Sequence, residues 1–321
     1  MIDLDLAAVR AFVAVVDEGQ FGYAAEVLGI SQQAVSKRIA KLESQLGVVV
    51  VERGVRGAVA TAAGRRFLPY ARSLLTVADE AVGAVRGRPL RVALLGERDA
   101  AADLMRYYLD RHPGVEVEIV LSSVRDTSRD ALVAGRADAA FARRFGGPRT
   151  LPDEICCAPA YLEPLQLLVG KGHPLAGRAE VSLAEAGAYP AWVPGAAVPS
   201  EWADFYRELS EFAGVTVETG GRPESIDVVL ERVAASRVLT TFTGTGFRTP
   251  LHPGIRGVRV VDPTPAYPHA LLWWGVDAHP GLAGLVAHVR AGYNADVAAG
   301  CWVPEADRDL FGAEGYPVAT V

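Results

Sequence analysis

The 321 residues predict an α+β, multi-domain chain: a helical N-terminal third, a long helix behind it, and an α/β remainder. Three observations carry this. Apolar residues recur at helical spacing through the first third, broken only by one short β-rich stretch. After the Gly87-Arg88-Pro89 break, short apolar strands alternate with helices, the order that builds parallel β-α-β sheets. Charge divides at the same place. The net −6 combines +2 over residues 1–89 with −8 over residues 90–321, and residues 31–72 hold eight basic side chains against two acidic ones. That concentration is the footprint phosphate backbones attract, although a solvated basic face has the same composition.

The elements of the first third follow in order. Leu6, Val9, Phe12, Val13 and Val16 lie on one helical stripe that stops at Gly19. A short helix, Tyr23–Leu28, carries the small pair Ala24 and Ala25. Gly29 turns the chain and Ser31 is an N-cap for the next helix. There Val35, Ile39 and Leu42 form the buried stripe, leaving Gln33, Ser36, Lys37 and Ala40 opposite, with Lys41 at the edge. Two helices about a tight glycine turn make a helix-turn-helix. Gln32, Gln33, Ser36 and Lys37 are the base-contacting candidates, since amide, hydroxyl and ammonium groups can all meet major-groove edges. Ser31, Arg38 and Lys41 are phosphate candidates.

Val48–Val51 and Ala58–Ala60 then flank a turn at Glu52–Gly57, a hairpin or wing with Arg53 and Arg56 at its tip as further phosphate contacts. Thr61 caps a long helix, bent at Pro69, in which Leu68, Ala71, Leu75, Ala78, Val82 and Val85 alternate in steps of three and four. This heptad stripe predicts pairing with a second copy; the alternative is packing on its own domain.

Phe21–Glu43 and the wing through Thr61-Ala62-Ala63-Gly64 closely resemble the N-terminal winged helix-turn-helix of LysR-type transcriptional regulators. The match rests on Ala24-Ala25, Leu28, Ser31-Gln32, Ala34, Ser36, Ile39, Leu42-Glu43, Leu46-Gly47, Val50, Arg53, Thr61 and Ala63-Gly64. Gln33 stands where the family usually has Pro, and Gly22 where it often has Ser or Thr. The resemblance implies a regulator that binds double-stranded DNA and a small-molecule effector, often a carboxylate in this family, with no cofactor. It also implies self-association as a dimer and then a tetramer, with RNA polymerase as a further partner.

Beyond Pro89 the expected strands are Leu90–Leu95, Val115–Leu121, Ala137–Ala142, Leu165–Gly170, Val215–Thr219, Val238–Thr241 and Ala270–Gly275. The expected helices are Ala100–Arg111, one ending at Gly135, Ser200–Phe212, one marked by Ile226, Val229, Leu230 and Val233, and one running from Leu282 to Tyr293. Lys171–Ala176, Val181–Ala184 and Val233–Ala235 extend the resemblance, although Ser236-Arg237 and the Thr/Gly-rich stretch Thr240–Gly246 depart from it. The family's effector domain has two α/β lobes, with the chain crossing between them twice. The crossings are placed near Ala158–Pro164 and Pro263–Pro268. The expected organisation is a DNA-binding domain at 1–61 and a dimerisation helix and hinge at 62–89. An effector domain follows at 90–294, with lobe I about 90–160 and 266–294 and lobe II about 161–265. Residues 295–321 are a C-terminal extension whose aromatics, Trp302, Phe311 and Tyr316, favour docking.

Ligands of open sheets sit at strand C-termini, so the effector candidates are Arg98, Ser122, Ser123, Arg143, Arg144, Trp192, Ser225, Thr241 and Thr243. Arg143 or Arg144 suits a carboxylate through a bidentate pair. Competing functions have weaker support. No nucleophile elbow, Walker loop or dinucleotide fingerprint occurs, and no two of the six histidines stand four apart, so neither an enzyme nor a helical zinc site is expected. The cysteines Cys156, Cys157 and Cys301 read as small buried hydrophobes. With no long apolar run, and Asp3 and Asp5 in place of a basic leader, a membrane partner or export is not expected and the location is read as cytoplasmic. The alternative function is a solute-binding module without DNA competence.

Overall fold

A computed structural model describes residues 4–54, 57–220, 225–276 and 278–313. The chain forms two compact units, Met1–Arg88 and Pro89–Val321.

The first unit is α1 (Leu6–Glu18), α2 (Phe21–Val27), α3 (Gln32–Leu46), β1 (Val51–Gly54), β2 (Gly57–Ala60) and α4 (Ala62–Arg86). Asp5 starts α1 by accepting from the Ala7 amide, and Ser31 starts α3 by accepting from the Ala34 amide at 3.2 Å. Gly19 and Gly47 end these helices with φ of 67° and 70°. Val9, Phe12 and Val15 pack against Val35, Ile39 and Leu42 in the core.

The wing is held by residues of the sequence motif. Glu43 accepts from the amides of Val50 and Val51, and Thr61 donates to the Val49 carbonyl while accepting from the Gly64 amide. A Cβ on Gly64 would stand 2.1 Å from the Val50 carbonyl oxygen. On the other side the Ala58 amide donates to the Gly19 carbonyl at 2.6 Å, where a Cβ on Gly57 (φ +122°) would collide. The ladder pairs Arg53 with Ala58, so Arg53 lies in a strand and not in the expected turn; Arg56 lies outside the described residues. The long helix also needs a correction. Ala71 and Leu75 are buried and Leu68 partly so, all within the core of their own domain. They do not face outward for a partner. Ala78 is half-buried, and the side chains of Val82 and Val85 lie outside the described set.

The second unit begins with β3 (Leu90–Leu94), α5 (Ala100–Arg111), β4 (Val117–Leu121), α6 (Ser128–Val133), β5 (Ala139–Ala142) and β6 (Ile155–Gly170). Next come β7 (Glu180–Ser182), α7 (Leu183–Gly187), β8 (Ala191–Trp192), α8 (Glu201–Ala213), β9 (Val217–Glu218) and α9 (Ile226–Ala234). It closes with β10 (Thr240–Gly244), β11 (Ile255–Val261), β12 (Thr264–Trp274), α10 (Leu282–Gly292), β13 (Cys301–Trp302) and α11 (Arg308–Phe311). The sheet path is β4-β3-β5-β12-β6-β10-β8-β9. Parallel strands β4, β3 and β5 belong to one lobe, and β10, β8 and β9 to the other.

The crossings are strand, not loop. β6 pairs antiparallel with β12 from Ile155 to Pro164 and then with β10 and β11 from Leu165 onward. The sequence places β6 only at Leu165–Gly170 and shows no signal for β11. Residues 295–313 dock on both lobes. β13 pairs with the start of β12, Trp302 stacks on Phe212 of α8 at 5.1 Å, and Val303 and Phe311 are buried in the first lobe.

Gly64→Ala is expected to cost about 1–3 kcal/mol through overpacking against a backbone carbonyl. Gly22→Ala, in α2 with open space around it, is expected to gain up to ~1 kcal/mol. Urea midpoints of the two variants check both signs.

Candidate functional site

The exposed face of α3 carries Gln33, Lys37 and Ala40, with Ser31 and Gln32 exposed at its N-terminus. Ser36 and Arg38 are half-buried beside this face. The Ser31 cap uses a lone pair of the hydroxyl, so its hydrogen is still available to a phosphate oxygen. Lys41, expected to reach phosphate, forms an ion pair with Asp5 instead, and this hydrogen bond is the main reason the Asp5 carboxyl titrates below its usual range. Arg53 is placed by its backbone alone.

The nine effector candidates do not converge. Arg143 is fully buried, its Nε donating to Asp307 at 2.8 Å and its terminal nitrogens to Glu208 at 3.0 and 3.1 Å. A buried guanidinium must be paired, and with both carboxylates in place it has no fork left for a ligand. Trp192 lies inside β8 and not in a loop; its ring is buried under Arg232 and its Nε1 donates to the Gly220 carbonyl. Thr241 and Thr243 are likewise buried within β10, which runs three residues past the expected end at Thr241. Arg144 donates to the Cys157 sulfur, Ser122 bonds Ser128, and Ser123 closes its own loop by accepting from Arg125 and Asp126. Ser225 is exposed at the start of α9. Arg98 lines a separate hollow with Glu97, Arg106 and Arg248.

The groups that do converge lie on the crossing strands. Glu163 of β6 and His269 of β12 are both buried, Nε2 to Oε2 at 3.1 Å, and the imidazole stacks on Tyr161 at 4.4 Å. The β6–β12 register shifts between His269 and Ala270, the kind of irregularity that re-aims a side chain. Asp99, buried at the start of α5, accepts from the Ala102 amide; burial raises its carboxyl above the usual range despite that bond. Beside these groups opens a hollow of about 310 Å³ lined by residues including Ala100, Leu104, Tyr161, Glu163, Thr245 and Gly246. Four buried polar atoms on or near this cluster have no hydrogen-bond partner: Tyr161 Oη, Glu163 Oε1, Tyr206 Oη and His269 Nδ1. Sequence reading passes over Tyr161 and Glu163 because they fall in a segment taken as connecting chain, and over His269 because a lone histidine signals little.

Comparison with known proteins places these features in a family. Residues 6–65 match the bacterial regulatory helix-turn-helix protein, lysR family, and residues 85–292 match the LysR substrate binding domain. The chain belongs to the LysR family. It is 30% identical to the HTH-type transcriptional regulator IlvR of Caulobacter vibrioides over 302 residues, 88% of this chain and 96% of that protein. It is 34% identical over 184 residues, 55% of this chain, to a Mycobacterium xenopi protein described as a probable hydrogen peroxide-inducible genes activator. That stretch covers 95% of the M. xenopi protein, and the corresponding match covers 58% of a Mycobacterium leprae relative. Among solved structures it resembles CbnR, a LysR family transcriptional regulator, with TM-score 0.67, 26% identity, and coverage of 90% of this chain and 99% of that one. Full-length CbnR in complex with its target DNA matches with TM-score 0.64 and 27% identity, covering 90% of this chain and 99% of that chain.

In this LysR-family chain, the expected effector arginine is therefore a structural group. Arg143, from the end of β5, joins Glu208 of α8 and Asp307 of the C-terminal segment. Burial outweighs its pairing with Arg143 and pushes the Asp307 carboxyl from 3.8 to about 6. A folded-state value above the unfolded one means that protonation favours the fold. This contribution is full below about pH 4 and is lost as pH rises through about 6. The stability difference between wild type and Asp307→Asn is accordingly expected to change across that window and level off above it. Thermal midpoints measured every half pH unit give the profile; parallel curves would contradict the assignment.

Proposed function

We propose that this LysR-type transcriptional regulator reads DNA through the exposed face of α3 and responds to a small molecule seated between its lobes on the β6–β12 crossing. The observation that carries the first half is the polar face of α3, capped by Ser31 and braced by a wing that Glu43, Thr61 and Gly64 tie to the domain. Gln32, Gln33, Ser36 and Lys37 meet base edges; Ser31, Arg38, Lys41, Arg53 and Arg56 meet phosphate. The Lys41–Asp5 pair is exposed, and exposed pairs are weak enough for a phosphate to displace the carboxylate. DNA binding by the similar CbnR supports this reading over a solute-binding module alone. No helix among the described residues is long and apolar enough to cross a membrane. The proposal includes a cytoplasmic location, action by binding and not catalysis, and RNA polymerase as a further partner.

Self-association through α4 is part of the proposal, on a different stripe from the heptad residues. Tyr70, Leu74 and Val77 are exposed at i, i+4 and i+7 on this helix, whereas Ala71 and Leu75 are used internally. The double variant Leu74→Arg, Val77→Arg is expected to sediment as a smaller species with unfolding unchanged, while Leu75→Ala loses about 2–5 kcal/mol of stability.

For DNA, selection from random duplexes followed by titration across salt is expected to yield an enriched site and a steep salt slope. No enrichment together with a flat slope would overturn the reading. Gln33→Ala is expected to change the selected sequence, and Arg53→Ala to weaken all sequences alike.

A further inference from the structure

We infer that the inter-lobe hollow is built for a ligand whose head group donates hydrogen bonds and carries positive charge, a small ammonium compound with an apolar body, and not for a carboxylate. The inference rests on the reading of this hollow as the effector seat and specifies the chemistry of its occupant.

The described lining of the hollow is acidic. Glu163 is the sole Asp, Glu, Lys, Arg or His among its described lining residues, with Tyr161 the one phenol. Asp99, outside the lining, lies close enough for His269 to favour its ionisation and, less strongly, for Glu163 to disfavour it. Arg143, the guanidinium best suited to a carboxylate, is consumed by Asp307 and Glu208. An anion placed here would stand beside the Glu163 carboxylate with no cationic side chain in the described lining to offset it.

The hydrogen-bond inventory points the same way. Glu163 Oε1 presents a lone pair without a partner, and beside it His269 Nδ1, donor or acceptor by its protonation, and the Tyr161 hydroxyl are also unpartnered. The carboxylate oxygen is an acceptor waiting for a donor. Buried unpaired acceptors are uncommon in folded proteins, and an ammonium N–H satisfies the Glu163 oxygen. The remainder of the hollow is apolar or small, with Ala100, Leu104 and Leu162 available to a hydrocarbon body.

The Thr/Gly-rich departure from the family pattern at Thr240–Gly246 fits this use. A Cβ on Gly244 would stand 2.0 Å from Glu163 Oε1, and one on Gly246 would stand 3.3 Å from the same oxygen and 2.8 Å from Ala100 Cβ. The glycines therefore make the space in which the Glu163 carboxylate is held and the hollow stays open. Without them the acid has no place.

The test uses the full chain at neutral pH with three probes of one shape: benzylammonium, benzyl alcohol and benzoate, by titration calorimetry and thermal shift. The expected result is binding of benzylammonium at least tenfold tighter than of the alcohol, with no binding of benzoate. Glu163→Gln, which keeps the shape and one acceptor oxygen, is expected to lose that preference. Ala100→Leu, which fills the hollow without touching the acid, is expected to abolish binding of all three probes. Tighter binding of benzoate, equal binding of all three, or no binding of any probe at 10-fold excess over millimolar protein would overturn the inference. An amine preference that survives Glu163→Gln would do the same. A result in which DNA selection succeeds but the amine fails separates this inference from the regulator assignment, which stands on α3.

Discussion

The effector domain depends on one antiparallel pair, β6 with β12. A 16-residue strand is long for a small α/β lobe, and it has this length because it serves both lobes in turn. Its first ten residues are bonded to β12 and its last six to β10 and β11. The two lobes thus share continuous backbone hydrogen bonds and not a pair of flexible links. Relative movement of the lobes must bend or twist this ladder, and the register shift beside His269 is where the ladder is already interrupted. The polar groups of the hollow sit on the same stretch. A ligand that bonds Glu163 and His269 therefore acts on the element whose bending relates one lobe to the other.

How far this was legible in the sequence depends on which physical signal each part leaves. Amphipathic helices with clear caps read well: α5 spans Ala100–Arg111 as its pattern indicates, and Ser31 caps α3. The winged domain also reads well, because Gly57 and Gly64 are demanded by close backbone approaches, Gly19, Gly29 and Gly47 by positive φ, and Thr61 by its two backbone hydrogen bonds. The crossing strands do not. Pro159, Pro164 and Pro268 look like loop residues, since proline removes a ladder donor. They are tolerated because the first part of β6 is bonded only to β12 on one side, and Pro268 of β12 lies where β6 is its sole bonded neighbour. The missed Glu163 follows from that misreading.

Arg143 and Leu75 show a second limit. Periodicity reveals that a side chain will be buried, and loop position reveals that a charge stands near a cleft. Neither reveals what will bury or pair it. Leu68, Ala71 and Leu75 satisfy a heptad equally well against their own domain or a partner helix. The deciding fact is that α1 already occupies that side, with Phe67 of α4 against Phe12. The stripe left over, Tyr70 to Val77, has the same helical spacing one position earlier. For Arg143 the deciding partner lies 164 residues away in a segment beyond the family match, which no local pattern foretells.

That partner gives the C-terminal segment its part in the architecture. A buried guanidinium with two carboxylates is not a strong source of stability, because desolvation takes back most of what pairing supplies. Its value lies in geometry. Arg143 requires both Glu208 and Asp307, so the end of β5 in one lobe, α8 in the other and the C-terminal segment are all set relative to one ion. Trp302 adds an apolar anchor on α8, and Phe311 another in the first lobe. The segment therefore bridges the two lobes on a path separate from β6 and β12. Lobe movement about the crossing has to carry this bridge along or break it, and breaking it would leave a charge buried without its partner. The bridge thus limits the range over which an effector in the hollow can move the lobes, and the acid-rich character of both places comes from the same −8 that separates this domain from the basic one ahead of it.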